Sequence, residues 1–487
     1  MAAPNPIREA LAAGQFRYIV EIVASASAPE EKIFQIGTDL LTVPGIIGAG
    51  ITSYAGGSAG HDPVRIAEGI KGRGLSPNVH ITCVNKDQET IRKQLLEVNR
   101  LGIENVFAIT GDYPAGRDTS NPPLFAMDSV QLVEMISEMR EAGMPFQTSV
   151  AISPFKYTEA DCAYQYLKLE KKIAAGADFA ITQLGFDSRK FVELKRYLDE
   201  RGLKTPVFGN VYVLSAGAAR KFSKAEPPGC WVSQELLDRV QEESKAEDKG
   251  LAARLERAAR TVAVLRGLGY AGAYIGGTHN AAHIRMVIER SEQIVPQWEE
   301  FAEEISYGPK GGFFFFDKIP RPKEPKPMLA QVLDVAAALF PVKHEDNLMH
   351  RSLTSVMKWI DQRPAAAHAL ERFELAIKEP MFGCQACGNC VLGEMEYVCP
   401  MTCPKNLRNG PCGGTFNGMC EVIPDKPCIW VKVYETAKAG DRVDGLKLYI
   451  PPRDLSLKGT SSFINLFLER GGRPHPEDLV KIHPAKK

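Results

Sequence analysis

A chain of 487 residues is too long for one ordinary core and predicts two domains, while 44% hydrophobic and 24% charged residues are the composition of a folded globular protein, not of a disordered or membrane-embedded one. Lys plus Arg equal Asp plus Glu at 59 each, so the one-sided charge of a nucleic-acid or membrane-surface binder is missing and a small-molecule ligand is expected. No run reaches the length of a membrane span, and Met1 to Val20 lacks a basic segment leading into an apolar stretch, so a cytoplasmic protein is expected.

Eight short runs rich in β-branched residues recur through the first 280 residues, each followed by a stretch of helical periodicity. They predict strands at Tyr18–Val23, Ile46–Ser53, Val79–Val84, Val106–Thr110, Phe146–Ser153, Phe179–Leu184, Val207–Leu214 and Gly272–Ile275. Between the third and fourth, KDQETIRKQLLEVNRLG has a charged face, an Ile/Leu/Leu/Val stripe and a stopping glycine at Gly102. Strand then helix, repeated, implies parallel strands with right-handed crossovers. A doubly wound open sheet would give the same alternation. The polar ends of the strands favour a (β/α)8 TIM barrel: Thr52-Ser53, His80 to Cys83, Thr110-Gly111-Asp112, Ser153-Pro154, Thr182-Gln183 and Gly276 to His279 would all converge on one mouth.

Beyond Tyr307 the alternation stops. An aromatic run, Phe313 to Phe316, and a stretch dense in proline and lysine up to Pro327 read as a linker or wrapping segment. Two helices follow, Met328–Leu339 and Leu353–Ile377, leading into a cysteine cluster. The expected organisation is a barrel over 1–308, a helical linker over 309–378, and a cysteine-rich metal-binding domain with its tail over 379–487.

Two acids in the barrel invite a chemical reading. Glu21 interrupts the apolar strand YIVEIV, where an unpaired carboxylate is costly. It is either neutralised by a buried cation or is a general acid whose pKa the apolar strand raises. Asp112 follows Gly111 at the end of the fourth strand, as an ordinary turn residue or as an acid at the mouth.

Of eleven cysteines, Cys83, Cys162 and Cys230 are scattered, and the rest are spaced Cys384-x2-Cys387-x2-Cys390-x8-Cys399-x3-Cys403-x8-Cys412-x7-Cys420-x7-Cys428. In a cytosolic chain such clustering points to metal before disulfides. Eight thiolates fill two four-coordinate sites. The opening triplet followed by Cys-Pro is close to a ferredoxin arrangement, which favours 4Fe-4S clusters, with structural zinc as the alternative.

Several pieces occur together in the order found in methylenetetrahydrofolate reductases, and the chain resembles that family from Ile7 to Ile305. YIVEIV with Glu21 resembles the family's first strand, HITC at His80 its third and TGDYP its fourth. LFAMDSVQLVEMI, with Phe125, Ala126 and Asp128, resembles the flavin-contacting stretch, and EKKIAAGADFAITQLGFD, with Lys172 and Gln183, is the most specific match. The cysteine-rich tail resembles a domain fused to, or encoded beside, acetogen-type members and associated there with iron-sulfur clusters.

The resemblance implies a flavin, FAD or else FMN, across the mouth, lined by Thr52, His80, Thr110, Gly111, Phe125 and Ala126, with Asp128 nearby and Lys172 near the ribityl phosphate. Asp112 would serve both flavin and folate, Gln183 would hydrogen-bond the pterin and Phe222 would stack on the ligand. Glu21 would protonate methylenetetrahydrofolate, giving 5-methyltetrahydrofolate in one-carbon metabolism and methionine biosynthesis. NAD(P)H or a ferredoxin-like carrier would supply electrons, the latter through the tail, and self-association is left open. Two departures touch the flavin side: Thr110 stands where the best-known bacterial members carry an arginine, and AISPFKYTEA replaces a Pro-Glu-x-His-Pro stretch. Two competing readings are a folate-binding methyltransferase component that docks a corrinoid protein or demethylase, and a metal-dependent assembly module that has lost catalysis.

Overall fold

Alternation is what turns the eight runs into a container. Successive side chains of a strand point to opposite faces, so each run sends one set towards the surrounding helices and the other inward. The structure, a computed structural model, describes residues 5–52, 60–114, 120, 122–317, 324–339, 348–472, 474 and 476–480. Its strands are β1 (Arg17–Val23), β2 (Ile46–Thr52), β3 (Pro77–Thr82), β4 (Asn105–Ile109), β5 (Gln147–Ile152), β6 (Phe179–Thr182), β7 (Val207–Tyr212) and β8 (Gly272–Gly276). They close in sequence order, and every neighbouring pair is parallel. The open-sheet alternative is therefore excluded. Strand ends differ from the expectation by a residue or two, and Ser53 lies outside the described residues.

On the outer faces, Tyr18, Val20 and Ile22 of β1, Val79 and Ile81 of β3 and their counterparts join the helices in the main core. Inward, Ile19, Phe107, Phe179, Ile181, Phe208 and Tyr274 fill the middle of the barrel. Ile7, on the short helix Pro6–Ala12, plugs the bottom. Beside this plug several polar groups pair internally: Asn78 Nδ2 donates to Ser149 Oγ at 2.9 Å and Asn5 Nδ2 to Asn105 Oδ1 at 2.9 Å. Gly50 is where Tyr274 crosses the lumen, since a Cβ there would stand 2.1 Å from the tyrosine hydroxyl.

The aromatic run wraps the barrel. Buried Lys190 donates to the Phe313 carbonyl at 2.8 Å, pairs with Glu193 at 2.9 Å and lies 4.4 Å from the Phe314 ring centroid. Residues 318–323 of the proline-lysine stretch lie outside the described residues. The helix Met328–Leu339 forms as expected. The expected single helix Leu353–Ile377 is instead two, Leu348–Asp361 and Pro364–Phe382. Pro364 has no N–H to donate and takes a first-turn position, so one helix must end before it.

The cysteine-rich region folds onto the barrel. Trp430, Val433, Tyr434 and Ala437 of its helix Ile429–Ala439 pack on Ala160, Ala163, Tyr164 and Leu167 of the helix Glu159–Ala174. That helix also packs against the barrel through Cys162, Tyr166 and Leu169. It is thus clamped on two faces.

Candidate active site

Stepping two residues outward from each plug residue gives the side chains of the mouth. Beyond Ile19 comes Glu21, beyond Ile181 Gln183, and beyond Phe208 first Asn210 and then Tyr212. The same alternation turns Thr52, His80 and Thr82 inward, and β4 leads out to Gly111 and Asp112. Glu21, Thr52, Asp112, Gln183, Asn210 and Tyr212 keep partial exposure, so the space they line is open.

Glu21 is the chemical centre of this set. A Cβ on Gly276 would stand 2.7 Å from its Oε2, so the carboxyl occupies the room that glycine leaves. Burial pushes Glu21 up to about 7, and among the described residues no cation draws it back. The ionised form would press on the hydroxyls of Tyr212 and Tyr274, both raised mainly by burial and then by this carboxylate. His279 hydrogen-bonds the Glu21 backbone. A carboxyl held in this way can keep its proton near neutrality and deliver it to a bound base.

His80 stands edge-on to Phe107, ring centroids 4.6 Å apart, and burial lowers it to about 3, so it is a neutral imidazole. Its Nε2, Asn210 Oδ1, Tyr274 OH and Ser153 Oγ are buried without a hydrogen-bond partner among the described residues. The polar groups named beside the plug are paired, whereas these are set to meet a polar ligand. Asp112 is pushed up by burial, drawn back by Lys405 and pushed again by Glu421, and both of those residues come from the tail. Cys230 lies within electrostatic reach of both Asp112 and Glu21. Phe222, ending the helix Ala216–Phe222, packs against Tyr212 at 5.2 Å and so reaches the rim.

Other expected site residues lie elsewhere. Thr110 faces outward, its Oγ1 accepting from Ser129 N at 3.2 Å, and Ala126 belongs to the outer core. Asp128 caps the helix Ser129–Glu141 with one carboxylate oxygen, while the other accepts from Arg408 N, Asn409 N and Asn409 Nδ2 of the tail at 3.2, 2.9 and 3.1 Å. Lys172, lowered to about 7 by burial, donates to the Ala151 carbonyl near the end of β5 at 2.6 Å. Phe125 packs with Tyr113 and with Val422 of the tail. Asn210, Tyr212 and Tyr274 were not anticipated, although period two along VFGNVY marks the first two, whereas His279 is among the strand-end residues expected at the mouth. Nothing local marks Lys405.

In the tail, Cys384, Cys387, Cys390 and Cys399 line one recess of about 560 Å³, together with Lys378, Met401 and Arg408. Cys403, Cys412, Cys420 and Cys428 lie within electrostatic reach of one another, forming a second quartet. Among the described residues no three metal-binding side chains converge tightly enough to hold a single ion.

A family model described as methylenetetrahydrofolate reductase matches residues 7–268, and one described as methylene-tetrahydrofolate reductase C terminal matches residues 364–456. The 5,10-methylenetetrahydrofolate reductase of Escherichia coli (strain K12) is 30% identical over 161 residues, 32% of this chain and 51% of the relative. A probable methylenetetrahydrofolate reductase (NADPH) of Caenorhabditis elegans is 27% identical over 172 residues, 34% of this chain and 24% of the relative. The chain thus spans about half the length, or less, of these curated relatives. An uncharacterized Clostridium thermocellum protein, solved with two copies of 5-methyl-5,6,7,8-tetrahydrofolic acid, has a TM-score of 0.41 at 13% identity, covering 60% of this chain and 99% of its own. That likeness is too loose to bear on this chain's ligand.

Proposed function

The chain belongs to the methylenetetrahydrofolate reductase family, and on that premise we propose that its barrel mouth interconverts 5,10-methylenetetrahydrofolate and 5-methyltetrahydrofolate beside a bound flavin. The observation that carries this reading is Glu21, an inward-facing acid held near neutral pKa in an open, polar-lined mouth. In the reductive direction its proton goes to N10 of the folate. The bond from N10 to the bridging carbon breaks with its electron pair left on N10, and the N5 iminium that forms is the hydride acceptor. When bound, reduced flavin supplies that hydride.

The unpartnered polar atoms of His80, Asn210, Tyr274 and Ser153 fit a ligand with many hydrogen-bonding groups. Thr52, His80 and Gly111 form the side assigned to the flavin. Asp112 and Gln183 hold the pterin and Phe222 covers it. Lys172, behind β5, supports this wall through the Ala151 carbonyl.

For the tail we favour 4Fe-4S clusters over zinc. Soft thiolates suit both, but the opening Cys384-x2-Cys387-x2-Cys390 triplet followed by Cys399-Pro400 is close to the ferredoxin arrangement, and these four cysteines line one recess. The two quartets would pass electrons from a ferredoxin-like carrier, with NAD(P)H the alternative donor.

Purified protein should be yellow, and Glu21→Gln should abolish turnover while keeping the flavin. A colourless preparation that FAD and FMN both fail to reconstitute would sink the reading. Folate binding without flavin reduction would point to the methyltransferase component instead. Iron, zinc and sulfide analysis after anaerobic purification decides the metal.

A further inference from the structure

The cysteine-rich tail reaches into the barrel mouth with one charged side chain. Lys405 is 2% exposed, ion-paired with Glu421, and its Nζ donates to the Gly111 carbonyl at 3.0 Å. The amine also lies 5.8 Å from the ring centroid of Phe125. Gly111 precedes Asp112, and Asp112 responds to the charge of both Lys405 and Glu421.

Among the described residues of the barrel, no cation stands in the same relation to Asp112. Among the described residues the inward side chains of the mouth include Glu21, Thr52, His80, Thr82, Gln183, Asn210 and Tyr212, and His80 is neutral. Thr110 is turned outward onto a helix.

The segment that carries Lys405 is firmly held. Lys168 donates to the Gly410 and Pro411 carbonyls at 3.2 and 3.0 Å, Gln165 to the Cys412 carbonyl at 2.9 Å, and Lys156 to those of Gly413 and Thr415. From the other side Asp128 of the barrel accepts from Arg408 and Asn409. A cation held this way is a fixed part of the mouth.

We propose that Lys405 of the tail is a positioning residue of the barrel's ligand site, holding the Gly111 carbonyl and with it Asp112 in place, so that the mouth is complete only when the tail is docked. The proposal rests on the folate and flavin reading above. It extends that reading by making the tail a wall of the site as well as a metal carrier.

The test is a double-mutant cycle on the full chain, read as the dissociation constants of 5-methyltetrahydrofolate and of FAD. Lys405→Met should weaken 5-methyltetrahydrofolate at least tenfold, Lys405→Arg should restore it to within about threefold, and Lys405→Met should change it less than twofold in an Asp112→Asn background. Equal losses in both backgrounds would make Lys405 a structural wedge and overturn the proposal, as would no loss at all. Lys405→Met leaves Glu421 as a lone buried carboxylate that can unfold the tail, so Lys405→Met/Glu421→Gln, with no such charge, is run beside it under the same criteria. Unmodified protein that binds neither ligand would sink the functional reading itself. Binding without coupling to Asp112 sinks only the role of Lys405.

Discussion

Glu21 sets a pH dependence with a definite sign. Its carboxyl titrates near 4.5 in an unfolded chain and at about 7 in the barrel, so between these values the folded form holds a proton that the unfolded form has lost. Stability therefore declines as pH rises through this window, by up to about 3 kcal/mol, and levels off above it. Glu21→Gln has no such slope. Compared with its standing at pH 4, it should gain up to about 3 kcal/mol on the native protein by pH 8, measured by urea unfolding at a series of pH values. Folate reduction should fall as pH rises past about 7, where the acid form is lost. Identical stability profiles for both proteins would mean that Glu21 is not held in this apolar setting. YIVEIV already marks Glu21 as the acid to watch, because one carboxylate among five apolar neighbours needs a reason. The neutral state of His80 was not legible, since it depends on Phe107 from another strand.

Among elements, the strands were the most readable part of the chain, because eight β-branched runs with polar C-terminal ends leave little besides a barrel. Helices were harder wherever their partners came from far along the chain. Lys168, Lys171 and Lys172 on the helix Glu159–Ala174 are all buried, Lys168 against carbonyls some 240 residues away that nothing near it in the sequence marks. Leu353–Ile377 reads as continuous because its apolar period runs through the break that Pro364 imposes. Asp128 is the clearest case of a residue whose surroundings argue against its expected role in holding flavin. Its carboxylate completes a capping box on Ser129–Glu141 and binds three tail donors, so Asp128→Ala should cost about 3 kcal/mol, the sum of a lost cap and of buried bonds to a charged acceptor. Denaturant midpoints check this. FAD affinity within twofold of the native value would mark the residue as structural, while a tenfold loss would return it to the cofactor site.

At the scale of the whole molecule, the question is whether barrel and tail behave as one body. Their contact has a packed centre, where Trp430, 1% exposed, stands edge-on to Tyr164 with ring centroids 5.3 Å apart. Around it lies a ring of charge-assisted bonds from Lys156, Lys168, Asp128, Asp161 and Glu159. If the two units are bound as tightly as this implies, unfolding followed by barrel and tail probes should give coincident transitions, fluorescence of the proposed flavin reporting one and absorbance of the proposed clusters the other. Trp430→Ala removes the centre of the contact at a cost of about 3–5 kcal/mol. It should move the tail transition to lower denaturant, ahead of the barrel's. The same loosening carries Lys405 away from Asp112, so 5-methyltetrahydrofolate affinity should fall in step with the tail transition, although Trp430 packs on Tyr164 of the outer helix Glu159–Ala174. Affinity that stays unchanged while the tail melts early would mean that the barrel binds folate on its own, and that the tail's part in the enzyme is confined to its metal sites.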